Sequence, residues 1–241
     1  MSAPAGLYAV VPAAGIGRRM ASELPKQYLT LRGRTLAEHT MERLLAMGSL
    51  RRVAVAVADG DPWWPRLDCA SHPRVRTVTG GASRAESVLR ALEALAAEAP
   101  EEARVLVHDM ARPCVRLSDM ERLVAESGAQ GALLARPVHD TLKQSDDTGH
   151  VVASPDRRHV WRALTPQCFP LGALREALRE ALAAGLEITD EASAMEQQGW
   201  HPLLVAGHAD NLKVTEPADL TLAAFYLEQQ EREGLHWRTF A

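Results

Sequence analysis

Residues 7–26 read LYAVVPAAGIGRRMASELPK. Positions 7–12 are a short apolar run, the pattern of a buried strand. The run opens into the small residues Ala13, Ala14, Gly15 and Gly17, where backbone N–H groups can approach an anion closely. Arg18, Arg19 and Lys26 add three cations to the same loop. A strand ending in such a loop suits a triphosphate. It is not the dinucleotide fingerprint, because Met20 stands where a third glycine belongs, nor a P-loop, because GK[ST] is missing. For the GxG pair alone, a glycine turn with surface arginines is the plainer reading. The two extra small residues, the three cations and Pro25-Lys26 weigh against it.

Outward from this loop, apolar runs alternate with helical periodicity. Helices are expected over 35–47, 83–97, 118–126 with Ser118 as N-cap, 171–184, up to Gln198, and from about 217. Strands are expected at 51–58, 75–81, 105–109, 131–137, near 203–206 and at 211–214. The alternation predicts an α/β fold with a mostly parallel sheet flanked by helices on both faces. Residues 138–160 break the rhythm with two β-like runs around Ser-Asp-Asp-Thr-Gly, which reads as a projecting hairpin. A lone hairpin is marginal in water, so a second subunit is its natural support.

Composition bounds the function. The chain has 241 residues, 46% hydrophobic and 24% charged, with a net charge of −4. It is therefore expected to form one domain, 1–241, with 138–160 as an arm, and not to bind nucleic acid through overall charge. Three widely spaced cysteines argue against a disulfide framework and for a reducing, cytoplasmic setting. No apolar stretch is long enough to span a membrane, and no CxxC or HExxH pair suggests zinc. Of the 27 basic residues only Lys26, Lys143 and Lys213 are lysine. Coding bias accounts for the skew, but the three exceptions are worth following.

The segments PAAGIGRRM, GGASRAESV (80–88), HDMARPC (108–114), DTLK (140–143), WRALTPQCF (161–169), TDEAS (189–193) and DNLKVT (210–215) occur in this order. Together they resemble the 2-C-methyl-D-erythritol 4-phosphate cytidylyltransferases of non-mevalonate isoprenoid biosynthesis, across nearly the whole chain. The resemblance implies a Rossmann-like nucleotidyltransferase fold, transfer of CMP from CTP to the acceptor phosphate with release of pyrophosphate, Mg²⁺, and a homodimer joined by the arm. It implies that Ala13, Ala14, Gly15, Gly17, Arg19 and Lys26 line the CTP phosphates. Gly81, Ala82 and Ser87 would frame the cytosine. Asp109 would meet the ribose or lie near the metal, with Arg112 beside it. Thr141, Arg157, Thr165 and Thr189 would hold the acceptor, Lys213 its phosphate, and Arg157 would serve the neighbour's site. Met110 and Ala82 depart from the usual small and acidic residues at their positions.

A local alternative accompanies several of these roles. Asp109 could cap a helix at a strand end, although acidic groups at the carboxyl ends of α/β strands often meet ligands. Thr189 could cap the DEAS helix, and Arg157 could be a solvated member of Asp156-Arg157-Arg158. The acceptor phosphate has its second pKa near ~6 and is largely dianionic at neutral pH, so no general base is needed. Arg19 and Lys26 would neutralise the α-phosphate in the transition state, with Arg157 and Lys213 orienting the nucleophile. No protein metal ligand is assigned. Competing readings are a ribitol-5-phosphate cytidylyltransferase, a sugar-1-phosphate nucleotidyltransferase, a non-catalytic nucleotide-binding module and, more distantly, a Rossmann dehydrogenase. The length suggests a monofunctional chain.

Overall fold

The computed structural model describes residues 6–15 and 24–235. Its strands are β1 (Leu7–Ala13), β2 (Thr30–Leu31), β3 (Arg34–Thr35), β4 (Leu50–Val57), β5 (Val75–Thr79), β6 (Arg104–Val107), β7 (Ala132–Pro137), β8 (Gln144–Ser145), β9 (Val151–Ala153), β10 (Trp161–Pro170) and β11 (Leu203–Ala206). Its helices are α1 (Leu36–Leu45), α2 (Arg84–Ala96), α3 (Leu117–Glu126), α4 (Leu171–Ala183), α5 (Glu191–Gln197) and α6 (Pro217–Arg232). Seven strands form one sheet in the order β11-β7-β10-β6-β1-β4-β5.

Alternation along β1 divides the core. Leu7, Ala9, Val11 and Ala13 join the side packed by α1 and α3, where Met41, Leu44, Met120 and Leu123 are buried. Tyr8 and Val10 join the opposite side with Val88, Leu92 and Leu95 of α2 and Leu174 and Leu178 of α4. Both faces of the sheet are covered, which is why its central strands are apolar on both sides.

β1 pairs in parallel with β4 and β6, β4 with β5, and β7 with β11. β10 runs antiparallel between β6 and β7. The mostly parallel sheet agrees with expectation, but β10 was legible only as a motif. Its buried stretch, Leu164–Phe169, follows exposed Arg162 and Ala163 and contains a register shift between Ala163 and Gln167, so neither clean alternation nor a uniform apolar run marks it.

Three local readings are corrected. α3 starts at Leu117 with Arg116 at the cap position and no capping side chain, so Ser118 lies inside the first turn. The cap of α5 is Asp190, which exchanges hydrogen bonds with Ser193 in a capping box, so Thr189 is not the cap. Residues 211–214 form no strand. They are held instead by Leu212 N–H to the Asp210 carbonyl and Val214 N–H to the Ala111 carbonyl.

The 138–160 segment contains a two-stranded ribbon, β8 with β9, outside the main sheet. Val151 and Val152 on it are 62% and 58% exposed. Lys143 Nζ donates to Ser154 Oγ at 2.6 Å, tying the ribbon across its base.

Candidate functional site

β1, β5 and β6 lie parallel in the sheet, so their carboxyl ends open on one edge, where ligands bind in open α/β folds. Three loops meet there. The first is Ala13–Gly15, after β1. Gln27 Nε2 donates to the Ala13 carbonyl at 2.8 Å and holds the single 3-10 turn Lys26–Tyr28 against it. This brings Lys26 to the strand end.

The second loop, Gly80–Ser83, leads into α2. Gly80 N–H donates to the Val57 carbonyl, and a Cβ at Gly80 would lie 2.5 Å from that of Ala14. A side chain there would separate the two loops. Ser83 and Glu86 form a capping box, a motif worth roughly 1 kcal/mol. Glu86 also accepts from Ala82 N–H at 2.6 Å, and Ser87 Oγ accepts from Gly81 N–H at 3.0 Å. These amides therefore shape the loop. The Ser87 hydroxyl itself donates to the Ser83 carbonyl.

The third loop is His108–Arg112. Asp109 N–H donates to Thr165 Oγ1 at 3.0 Å, and that hydroxyl lies 3.0 Å from His108 Nδ1. His108 Nε2 lies 3.2 Å from the Arg112 carbonyl. A carbonyl only accepts, so Nε2 carries the proton and Nδ1 accepts from Thr165. Burial pushes the His108 imidazole down to about 4, which keeps it neutral. Thr165, expected to touch the acceptor, thus also shapes the Asp109 loop through its hydroxyl.

Asp109 is the electrostatic centre. Arg84 Nε lies 3.1 Å from Oδ1, Lys213 Nζ 2.9 Å from Oδ2, and Arg112 Nε 3.5 Å from Oδ2. Burial opposes the charge on Asp109, but Arg84, Lys213 and Arg112 outweigh it and hold the carboxyl well below the usual carboxylate range. Asp109 is not a helix cap. Arg84 in turn grips Glu191 through two hydrogen bonds of 2.7 and 3.1 Å. Glu191 is 1% exposed.

A cavity of about 200 Å³ gathers nine of the expected residues: Ala13, Ala14, Gly15, Lys26, Gly81, Ala82, Ser87, Asp109 and Lys213. An adjoining cavity of about 280 Å³ takes Arg112, Thr165 and Thr189, and shares Arg84, Asp109 and Lys213 with the first. Gly17 and Arg19 lie outside the described residues. Thr141 and Arg157 are exposed on the 138–160 segment and line neither cavity, and the Arg157 guanidinium donates to the His139 carbonyl.

Sequence reading missed Arg84, Glu191, Gln167 and Gln27. Arg84 and Glu191 stand inside quoted motifs, and a buried opposite-charge pair was the available signal. Gln167 donates to Asp190 Oδ2 and accepts from Ala192 N–H, fixing the start of α5 beside Thr189. Among the described residues no group of three or more His, Cys, Asp or Glu could hold a metal. Asp109, the carboxylate that lines both cavities, has its two oxygens committed to Arg84 and Lys213. The described residues therefore do not build a magnesium site on their own.

The family model for IspD, 2-C-methyl-D-erythritol 4-phosphate cytidylyltransferase, matches residues 7–229. A protein of that name from Aeromonas hydrophila is 53% identical over 226 residues, covering 93% of this chain and 91% of the relative. One from Photobacterium profundum is 51% identical over 233 residues, covering 94% and 98%. The crystal structure of the Francisella tularensis cytidylyltransferase is similar with a TM-score of 0.79 at 32% identity, covering 92% and 99%. A 4-diphosphocytidyl-2C-methyl-D-erythritol synthase structure gives a TM-score of 0.81 at 36% identity, covering 94% and 100%. With this breadth of match and this architecture, the chain belongs to the 2-C-methyl-D-erythritol 4-phosphate cytidylyltransferase family.

Proposed function

We infer that the protein transfers CMP from CTP to 2-C-methyl-D-erythritol 4-phosphate, giving 4-diphosphocytidyl-2-C-methyl-D-erythritol and pyrophosphate in isoprenoid precursor synthesis. The observation that carries this reading beyond family membership is the small-residue cavity with Lys26 and Lys213 on its wall. An acceptor phosphate oxygen attacks the α-phosphorus of CTP, and the bond from that phosphorus to the β-phosphate bridging oxygen breaks. The nucleophile is already an anion, so the chemistry asks for charge neutralisation and alignment rather than a base. Lys26 neutralises the α-phosphate, and Arg19 is proposed to join it. Lys213, steadied by Asp109, draws the acceptor phosphate alongside. Ala13, Ala14, Gly15 and Gly17 admit the triphosphate. Gly81, Ala82 and Ser87 bound the base, and Asp109 and Arg112 border the ribose and the acceptor. When bound with CTP, Mg²⁺ would supply charge compensation for the leaving pyrophosphate, and no residue of the chain is assigned as its ligand.

The exposed valines of the arm, and the absence of Thr141 and Arg157 from the lining of both cavities, support a homodimer in which each arm serves the other copy. Three buried free cysteines support a cytoplasmic setting. Among the described residues no helix is long and apolar enough to cross a membrane. Neither a membrane nor a nucleic-acid partner is proposed.

Pyrophosphate release from CTP with this acceptor tests the activity. A clear preference for ribitol 5-phosphate, or CTP binding without turnover, overturns it. Mixing Lys26→Ala and Arg157→Ala proteins tests the shared site. If Arg157 acts across the dimer, mixed dimers regain one intact site and activity returns, whereas no recovery assigns Arg157 to its own subunit.

A further inference from the structure

Lys213 also lines a third cavity, of about 570 Å³, together with Arg112, Arg136 and Arg162. The transfer as described above uses neither Arg136 nor Arg162. The two are direct partners in the antiparallel register of β7 and β10. Residues opposed in this way share a sheet face, and like charges there repel. Among the described residues neither side chain forms an ion pair or a hydrogen bond. Arg112 is 8% exposed, its buried Nε has no hydrogen-bond partner, and the Arg162 charge adds to the cost of its own. The carboxylate lining this cavity is Asp219, whose Oδ2 is taken by Thr215 and Glu216 at the start of α6. Of the four cations around this space, Lys213 and Arg112 lean on Asp109, while the opposed Arg136 and Arg162 have no carboxylate partner among the described residues.

We propose that this cavity is a capture site for a phosphate monoester, in which Arg136 and Arg162 take hold of the acceptor's phosphate before Lys213 receives it. This rests on the proposed cytidylyltransferase reading. Planar guanidinium forks match phosphate oxygens, and a cluster of one sign raises the local concentration of an anion. Among the described residues the cavity has no glycine in its lining, unlike the triphosphate pocket with Gly15 and Gly81. It shares Arg112, Ala163, Leu164 and Lys213 with the cavity of Thr165 and Thr189. It therefore lies on the acceptor's approach and away from the nucleotide base. The opposed arginines cost stability and are accounted for by the ligand.

The test is steady-state pyrophosphate release by wild type and Arg136→Thr/Arg162→Thr at low and high salt, with CTP and acceptor varied separately. At low salt the double variant has kcat/KM for the acceptor lowered about ten-fold, with the loss in the acceptor's KM and not in that for CTP. Its salt dependence is flatter than that of wild type. Inorganic phosphate competes with the acceptor in wild type and about ten-fold more weakly in the variant. Arg162→Lys, which keeps the charge without the fork, falls between. A melting temperature no lower than wild type excludes unfolding as the cause, and relief of the opposed charges predicts a small rise. An unchanged acceptor KM and salt slope overturn the capture site while leaving the activity intact. Phosphate inhibition directed against CTP instead of the acceptor also overturns it. Failure of wild type to turn over CTP with the acceptor falls on the proposed function itself.

Discussion

Lys213 Nζ lies 2.9 Å from Asp109 Oδ2, joining the DNLKVT segment to the loop after β6. Asp109 Oδ1 meets Arg84, and Arg84 meets Glu191, so a run of alternating charges passes from α5 through α2 to Lys213. The cavities of about 200 and about 280 Å³ share part of this run as a wall. The position of Lys213 therefore depends on residues in three elements.

Lysine identity is expected to matter at two of its three positions. Lys26→Ala lowers kcat by two or more orders of magnitude, the scale of one lost transition-state charge contact. Lys26→Arg and Lys213→Arg also impair turnover, because a compact ammonium fits where a planar fork is larger and more rigid. Lys143→Arg is tolerated, since its partner is Ser154 within the exposed ribbon. Steady-state kinetics on the folded variants decide this, and near-normal turnover by Lys26→Ala would sink the assignment.

Arg84→Ala leaves Glu191 buried without its partner. Breaking a buried pair in this way costs about 3 kcal/mol or more, read as a lower urea midpoint. The double variant Arg84→Ala/Glu191→Ala loses less than the sum of the singles, because the second change removes the stranded charge. Additive losses would mean that the pair is not coupled. Turnover falls in both singles, because Arg84, which holds Asp109 Oδ1, is removed in one and loses its anchor on Glu191 in the other.

Gly81→Ala sets a Cβ 2.3 Å from Glu86 Cβ and 2.7 Å from Glu86 Oε2. Glu86 belongs to the capping box, so the first turn of α2 must move and the cavity wall with it. The KM for CTP is expected to rise about ten-fold, on the scale of one lost contact. A CTP titration giving the wild-type value would remove Gly81 from the pocket wall.

Stability is expected to fall as pH drops from about 6.5 toward 4. The folded His108 titrates at about 4, against ~6.5 for an unfolded histidine. Between these values the unfolded chain binds more protons, so stability is complete above the upper value and decreases below it, by about 3 kcal/mol in total. His39 and His72, also lowered by burial, add slope of the same sign. Asp109 adds loss further down: its lowered pKa makes its contribution present above about pH 4 and absent in stronger acid. Urea unfolding of wild type and His108→Asn across this range checks the point. A wild-type stability that does not vary with pH would contradict it, and the variant should show the shallower slope.

The alternation of apolar runs with amphipathic helices, and the small cationic loop after the first run, were legible in the sequence because each depends on neighbours a few residues apart. The projecting hairpin was legible for the same reason, through its turn residues. β10 was not, because its place between β6 and β7 is set by pairing with distant strands and by a register shift that no local period records. Thr189 looked like a cap until the backbone gave that place to Asp190 one residue later. Thr165 was legible as a site residue, and it lines the second cavity, but that its hydroxyl also links Asp109 to His108 was not.

Sequence by itself determined the layered α/β architecture, the family, and most of the residues around the cavity, since residue type and short spacing carry that information. Only the tertiary structure decided how those residues act on one another. Arg84 reaches across to Glu191, Arg136 is brought opposite Arg162, and Asp109 gathers three cations because the sheet carries distant segments to one edge. Charge interactions depend on distance and burial, and neither exists until the chain has folded.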